Sequence, residues 1–139
     1  MNKIMGLDLG SRTCGVALSD SLQMIATGKE TIHFAEDDYS TALEKVCAII
    51  DENKVETVVL GLPKHMNGDE GVRADISKKF KEMLTEKRPV KVVLWDERLT
   101  TVSAQKSMIA SNMNRQKRKK MIDTMAAQII LQSYLDARS

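Results

Sequence analysis

The sequence predicts an α/β domain: one five-stranded mixed sheet, its first three strands antiparallel, flanked by helices in the order β-β-β-α-β-α-β-α-α. Three observations carry this. Three short apolar runs follow one another in the first 32 residues with only tight links between them, which is how an antiparallel meander looks. Two later apolar runs, Val55–Leu60 and Val90–Trp95, each follow a segment of helical periodicity, as crossover-connected strands do. Hydrophobic residues make up 42% and charged residues 29% of 139 residues, which suits one domain over 1–139 with a real core rather than a disordered chain.

The elements follow in order. The first strand, 2–9, carries Ile4, Met5, Leu7 and Leu9, with the carboxylate Asp8 inside the apolar run. Gly10 ends it, Ser11-Arg12-Thr13 turn the chain, and a second strand covers 14–20. A third strand is expected over 24–32 after a turn at Asp20-Ser21. Tyr39, Ala42, Leu43, Val46, Cys47 and Ile50 recur at helical spacing over 39–53, with Asp37, Asp38 and the Thr41/Glu44 pair as start signals. Val55–Leu60 is short, continuous and β-branched, the pattern of a strand buried on both faces. A loop over 61–71 holds Pro63 and the turn pair Asn67-Gly68. A second helix then presents Val72, Ile76, Phe80, Met83 and Leu84 on one face, and the last strand is 90–95. Thr100 or Thr101 caps a third helix running to about Ala110. Residues 111–120 are polar and basic, expected as a mobile loop, and a last helix spans Lys120–Leu135.

Several function classes drop out. No apolar run approaches the roughly 20 residues that span a bilayer. The N-terminal run is interrupted by Gly6 and Asp8, unlike a signal peptide. A cytoplasmic location with no membrane partner is therefore expected, as a monomer or homodimer. Cys14 and Cys47 are far apart in apolar surroundings and read as buried thiols, not as a disulfide or zinc site. The nine methionines read as core filler. Tyr39, Phe80, Trp95 and Tyr134 read as core residues rather than base-stacking platforms. The net charge of +2 is uneven: residues 111–139 hold six Lys and Arg against two Asp, a net +4, leaving −2 for the first 110. One basic stretch on an otherwise near-neutral chain suits either a solvated loop or a localised anionic partner.

Three carboxylates stand apart from ordinary surface acids. Asp8 lies in a strand, where aspartate is depleted and where burial demands a partner. Glu97 follows the apolar strand 90–95 directly, and the carboxyl ends of strands are where open α/β sheets bind ligands. Asp123 shares a helical face with Ala127, Ile130 and Tyr134, so it points inward if that helix is regular. Each has a bland alternative: a Gly-turn acceptor, a partner for Arg98, a favourable charge at a helix start. One explanation covers all three, an acidic cluster for divalent cations. Mg²⁺ prefers oxygen ligands and is held by a few carboxylates plus water and phosphate, and a pair of ions about 4 Å apart supports phosphodiester hydrolysis.

Four stretches carry a family resemblance: D-L-G-S-R-T-C-G-V-A-L-S-D (8–20), G-L-P-K-H-M-N-G-D-E-G-V-R-A (61–74), W-D-E-R-L-T-T-V-S-A (95–104) and K-K-M-I-D-T-M-A-A-Q-I-I-L-Q (119–132). In order and spacing, over nearly the whole chain, they resemble the bacterial pre-16S ribosomal RNA nuclease family, whose members are also described as Holliday-junction resolvases. The resemblance implies a ribonuclease H-like fold and a three-carboxylate site, carried here by Asp8, Glu97 and Asp123. It implies a metal-dependent nuclease, using Mg²⁺ or Mn²⁺, that trims the 5′ end of precursor 16S ribosomal RNA in ribosome biogenesis. The implied partners are that RNA and the ribosome, with branched DNA, and so a role in recombination and repair, as the competing reading. A non-catalytic nucleic-acid-binding factor is a further alternative. Many members have two basic residues after the first Gly turn; here only Arg12 is basic and Thr13 takes the second place. Next to an acidic site, Arg12, Lys64, Arg98 and the run Arg115, Lys117, Arg118, Lys119, Lys120 become candidate phosphate contacts. For Arg98 a structural ion pair competes with that role. D-L-G-S-R-T also resembles the first phosphate loop of actin-like and sugar-kinase ATP-binding proteins, but those need two such domains and this chain is too short.

Overall fold

The computed structural model describes residues 2–63, 71–100 and 115–138; within the last segment side chains are described from Thr124 onward. Its strands are β1 (Lys3–Leu9), β2 (Thr13–Ser19), β3 (Ala26–His33), β4 (Val55–Leu62) and β5 (Lys91–Asp96). Its helices are α1 (Tyr39–Asn53), α2 (Val72–Lys87) and α3 (Arg115–Arg138), with a 3-10 turn at Glu97–Leu99. The sheet order is β3-β2-β1-β4-β5. The meander β1-β2-β3 is antiparallel, and β1, β4 and β5 run parallel. This is the mixed sheet the sequence predicts.

Strand alternation sorts the apolar residues into two layers. Met5, Leu7 and Leu9 of β1, Val58 and Leu60 of β4 and Val92 of β5 face one side, where Val46, Ile50, Phe80 and Leu84 of α1 and α2 close the larger core. Ile4, Ala17 and Val59 face the other side, against Ala126, Ala127, Ile130, Leu131 and Leu135 of α3. Burying that many fully enclosed Leu, Ile and Val side chains, at about 1.5–3 kcal/mol each, holds the layers together. Gly6 lets α3 lie directly on β1: a Cβ there would sit 2.7 Å from Leu131 Cβ and 2.8 Å from the Ala127 carbonyl oxygen.

α3 runs antiparallel to β1. The Ala26 N–H donates to Gln132 Oε1 at 2.8 Å, while further along β3 the hydroxyls of Thr31 and Thr124 lie 3.0 Å apart. β3 points the same way as β1, since both are antiparallel to β2.

Several expectations change in detail. The polar run 111–120 is expected as a loop, yet residues 115–120 are already helical and α3 continues to Arg138. Arg, Gln and Lys are good helix formers, so polarity alone is no sign of a loop. β3 begins at Ala26, not at 24, because the Asp20 carboxylate accepts from the Met24 and Ile25 N–H groups and holds them in the turn. Of the start signals read before α1, Asp38 is the cap, as the sequence suggests: its carboxylate accepts from both the N–H and the hydroxyl of Thr41. Val72 opens α2 but is 74% exposed, outside the helix's buried face. Thr100 closes the 3-10 turn, donating its hydroxyl to the Glu97 carbonyl at 2.7 Å. The third helix expected to Ala110 and the loop with Asn67-Gly68 lie outside the described residues. Cys14 and Cys47 are both buried, and Trp95 packs edge-on against Tyr134 with its indole N–H on Ser133 Oγ.

Candidate active site

Asp8 is the last residue but one of β1 and is half-buried. Ile4 and Gly6 face α3, so alternation turns Asp8 to the same side. Leu7 is paired with Leu60, so the next residue of β4, Gly61, lies beside Asp8; Gly61 is in turn paired with Trp95 of β5. One step past β5 comes Glu97. Asp8, Gly61 and Glu97 thus form a row across the carboxyl ends of three parallel strands.

Two local devices bring Glu97 into that row. The Asp96 carboxylate accepts from the Arg98 backbone N–H at 2.9 Å and from the Arg98 guanidinium, with Nη2 at 2.7 Å. This clamp stops the strand and starts the 3-10 turn, and the hydrogen bond that the guanidinium donates to Asp96 raises the pKa of Arg98. Gly61 then leaves the space the carboxylate occupies. A Cβ on Gly61 would lie 3.4 Å from Glu97 Oε1, 3.5 Å from Glu97 Cδ and 2.7 Å from Ile130 Cδ1.

Asp8 and Glu97 line one cavity of about 190 Å³, together with Gly10, Gly61, Pro63 and Arg73. Arg73 reaches it from the first turn of α2, and its Nη2 donates to the Leu9 carbonyl at 2.8 Å. Two carboxylates and one guanidinium thus share one small hollow.

A larger hollow of about 500 Å³ lies between α1 and α2, lined in part by Leu43, Glu44, Cys47, Met83, Glu86 and Arg88. Its acids Glu44 and Glu86 are exposed on helix surfaces. Burial pushes the Cys47 thiol pKa up, which makes it a poor nucleophile. The larger hollow thus has no strand-end carboxylate among the residues named, whereas the smaller one has two.

The remaining candidates fall in different places. Asp123 lies in α3, four residues before Ala127, with its side chain outside the described residues. The backbone of Arg115, Lys117, Arg118, Lys119 and Lys120 forms the first turns of α3, their side chains likewise outside the described set. Lys64 is outside it altogether. Arg12 is exposed in the Gly turn, 3.3 Å from the equally exposed Glu36, a pairing worth little in water. Arg98 is engaged by Asp96, so its guanidinium acts first on the turn that carries Glu97. Among the described residues, no group of three or more His, Cys, Asp or Glu is arranged to hold a metal ion; the described part of the cavity supplies two carboxylates.

Arg73 is the site residue the sequence reading passed over. The signal was a cation in the first turn of a helix, where the dipole disfavours it, inside the stretch G-V-R-A.

Comparison with known proteins follows the same lines. The family model described as "RuvX: Holliday junction resolvase" matches residues 2–137. A protein of Bacillus subtilis strain 168, provisionally named pre-16S rRNA nuclease, is 49% identical over 135 residues, covering 97% of this chain and 98% of that one. A Geobacillus kaustophilus protein with the same provisional name is 49% identical over 136 residues, covering 98% and 99%. Among solved structures, Thermus thermophilus RuvC in complex with a Holliday junction superposes with a TM-score of 0.63 at 10% identity, covering 100% of this chain and 98% of that one. At that identity the likeness concerns the fold alone, which is the ribonuclease H-like fold implied by the resemblance. With a family match spanning nearly every residue, and relatives near half-identical along their whole length, the chain belongs to the RuvX Holliday junction resolvase family.

Proposed function

We propose that this chain is a divalent-metal-dependent nuclease that hydrolyses phosphodiester bonds in structured nucleic acid, and that its substrate is the 5′ region of precursor 16S ribosomal RNA. The observation that carries the reading is the meeting of Asp8 and Glu97 in one cavity at the carboxyl ends of parallel strands. The provisional names of the near-half-identical relatives support the RNA substrate. The family's own description favours a second reading, resolution of four-way DNA junctions.

Asp123 is proposed as the third carboxylate. Gly6 lies against Ala127 and Leu131, and α3 runs antiparallel to β1. Two residues along a strand advance about 6.6 Å, and one helical turn about 5.4 Å. By that step the turn holding Asp123 comes level with Asp8.

The donor set fits Mg²⁺ or Mn²⁺, and two ions suit three carboxylates: the donors are oxygens only, and the cavity of about 190 Å³ exceeds the volume of several waters, at ~30 Å³ each. Asp8, Glu97 and Asp123 would hold the ions, which when bound activate the attacking water and stabilise the leaving oxygen. The protein's own part is orientation. The Asp96–Arg98 clamp fixes the turn that presents Glu97, and Gly61 keeps the floor clear beneath it. The basic first turns of α3, and Arg12 at the Gly turn, supply positive charge for the nucleic-acid backbone.

The deciding experiment incubates purified protein with precursor 16S RNA, single-stranded RNA and a four-way DNA junction, each with Mg²⁺, Mn²⁺ or chelator, alongside Asp8→Asn. Precursor RNA cleaved with either ion, and not with chelator, is the expected result. Asp8→Asn should fall by more than the ~10–100-fold typical of losing an outer partner of a metal ligand. Cleavage indifferent to chelator and to Asp8→Asn would sink the reading, and selective cleavage of the junction would replace RNA with DNA.

A further inference from the structure

We infer that Arg73 is a catalytic residue of this site, its guanidinium binding the scissile phosphate beside Asp8 and Glu97. The inference rests on the nuclease reading and deepens it. In hydrolysis the water oxygen bonds to phosphorus as the bond to the leaving ester oxygen breaks. One proton of the water ends on the leaving oxygen or in solvent, and negative charge gathers meanwhile on the non-bridging oxygens. A cavity walled by carboxylates repels that charge, and Arg73 is the cation that lines the same cavity. A planar guanidinium matches two phosphate oxygens at once, which an ammonium cannot do.

Its anchorage suits the task. Arg73 Nη2 donates to the Leu9 carbonyl at 2.8 Å, one residue past Asp8. The Tyr39 hydroxyl, which donates to Asp37 Oδ1 at 3.1 Å, lies close enough to feel the Arg73 charge. The Leu9 carbonyl is a neutral oxygen, so it orients the guanidinium without cancelling its charge. A residue of α2 is thus tied to the end of β1 that carries Asp8. The helix gains nothing from it: a cation in the first turn opposes the dipole, and Gly71 at the N-cap makes no side-chain capping bond.

The test compares wild type, Asp8→Asn, Arg73→Ala and Arg73→Lys on the cleaved substrate. It measures the single-turnover rate, substrate binding in chelator, thermal unfolding, and rescue of Arg73→Ala by added guanidinium. Arg73→Ala should lose about 100- to 1,000-fold in rate, the scale of removing one donor to a developing oxyanion. Its substrate binding should stay within about threefold, because the interaction strengthens as charge develops. Added guanidinium should restore part of the rate, which repair of a merely structural anchor would not do. If Arg73→Ala fails to fold, Arg73→Lys decides, with a loss of at least about tenfold expected from the missing fork. A folded Arg73→Ala that cleaves at the wild-type rate, a loss that guanidinium leaves untouched, or a folded Arg73→Lys at full rate each overturns the assignment. Those outcomes leave wild type active and Asp8→Asn inactive, so the nuclease reading survives them. Wild type inert on every substrate would instead remove that reading and Arg73's role with it.

Discussion

Gly61 makes room for both Glu97 and Ile130. Its missing side chain is the space beneath Glu97, and its other close neighbour is Ile130 of α3. In Gly61→Ala the new Cβ would meet Ile130 Cδ1 at 2.7 Å, so the end of the Ile130 side chain must shift, and Glu97, at 3.4 Å, loses its room to move. Overpacking of this kind costs about 1–3 kcal/mol, so the urea midpoint should fall by that equivalent. Cleavage should fall further than stability explains, because a shift of about 1 Å in a catalytic group is costly. Urea unfolding and single-turnover cleavage of the same preparation check this; an active, fully stable Gly61→Ala would show that Glu97 does not depend on the gap. At this scale Asp8 was legible because a carboxylate inside an apolar strand breaks a local rule. Glu97 was legible because it follows a strand end. Gly61 read only as a strand terminator, since nothing local says which side chain will fold over it. Arg73 was missed for the same reason: its partner is Leu9, 64 positions away in the chain, and only the packing of α2 brings the two together.

The elements show where periodicity suffices and where tertiary contacts overrule it. α1 came out with the predicted bounds because its apolar spacing, its cap and its left-handed ending at Lys54 agree. The start of β3 did not, since the bonds to Asp20 that delay it are made by a side chain, not by the alternation pattern. The cap of α1 carries a pH signature. Hydrogen bonds from the Thr41 hydroxyl and N–H lower the Asp38 pKa. A depressed folded pKa means stability that is present above the unfolded value of about 3.9 and lost as pH falls through the folded one. Asp38→Ala should thus lower the unfolding midpoint at pH 7 by more than at pH 2.5, where wild type keeps less of the same interaction. Thermal unfolding at the two pH values measures it; equal destabilisation at both would mean that the cap acts through shape and not through charge.

On the scale of the whole molecule, the sheet separates a large structural layer from a smaller layer in which α3 serves two ends. From Ala126 to Leu135 its buried residues seal the sheet. Its first turns carry Arg115, Lys117, Arg118, Lys119 and Lys120, most of the positive charge of the C-terminal stretch. Because the helix is antiparallel to β1, that basic end lies toward the carboxyl ends of the strands, the end at which Asp8 and Glu97 meet. An acidic cavity cannot attract a polyanion by itself, so a nuclease of this build needs its cations nearby, and the chain concentrates them in the same element that carries Asp123. Lys119→Ala combined with Lys120→Ala should therefore weaken binding to precursor RNA and make the slope of log affinity against log salt shallower by about 2, one for each phosphate left without its lysine. Unfolding should be unchanged, since the buried residues described in α3 run from Ala126 to Leu135. Binding titrations across a salt series, paired with a thermal melt, separate the two effects. A salt slope identical to wild type would take this end of α3 off the binding surface and leave Arg12 and Arg73 to meet the backbone alone.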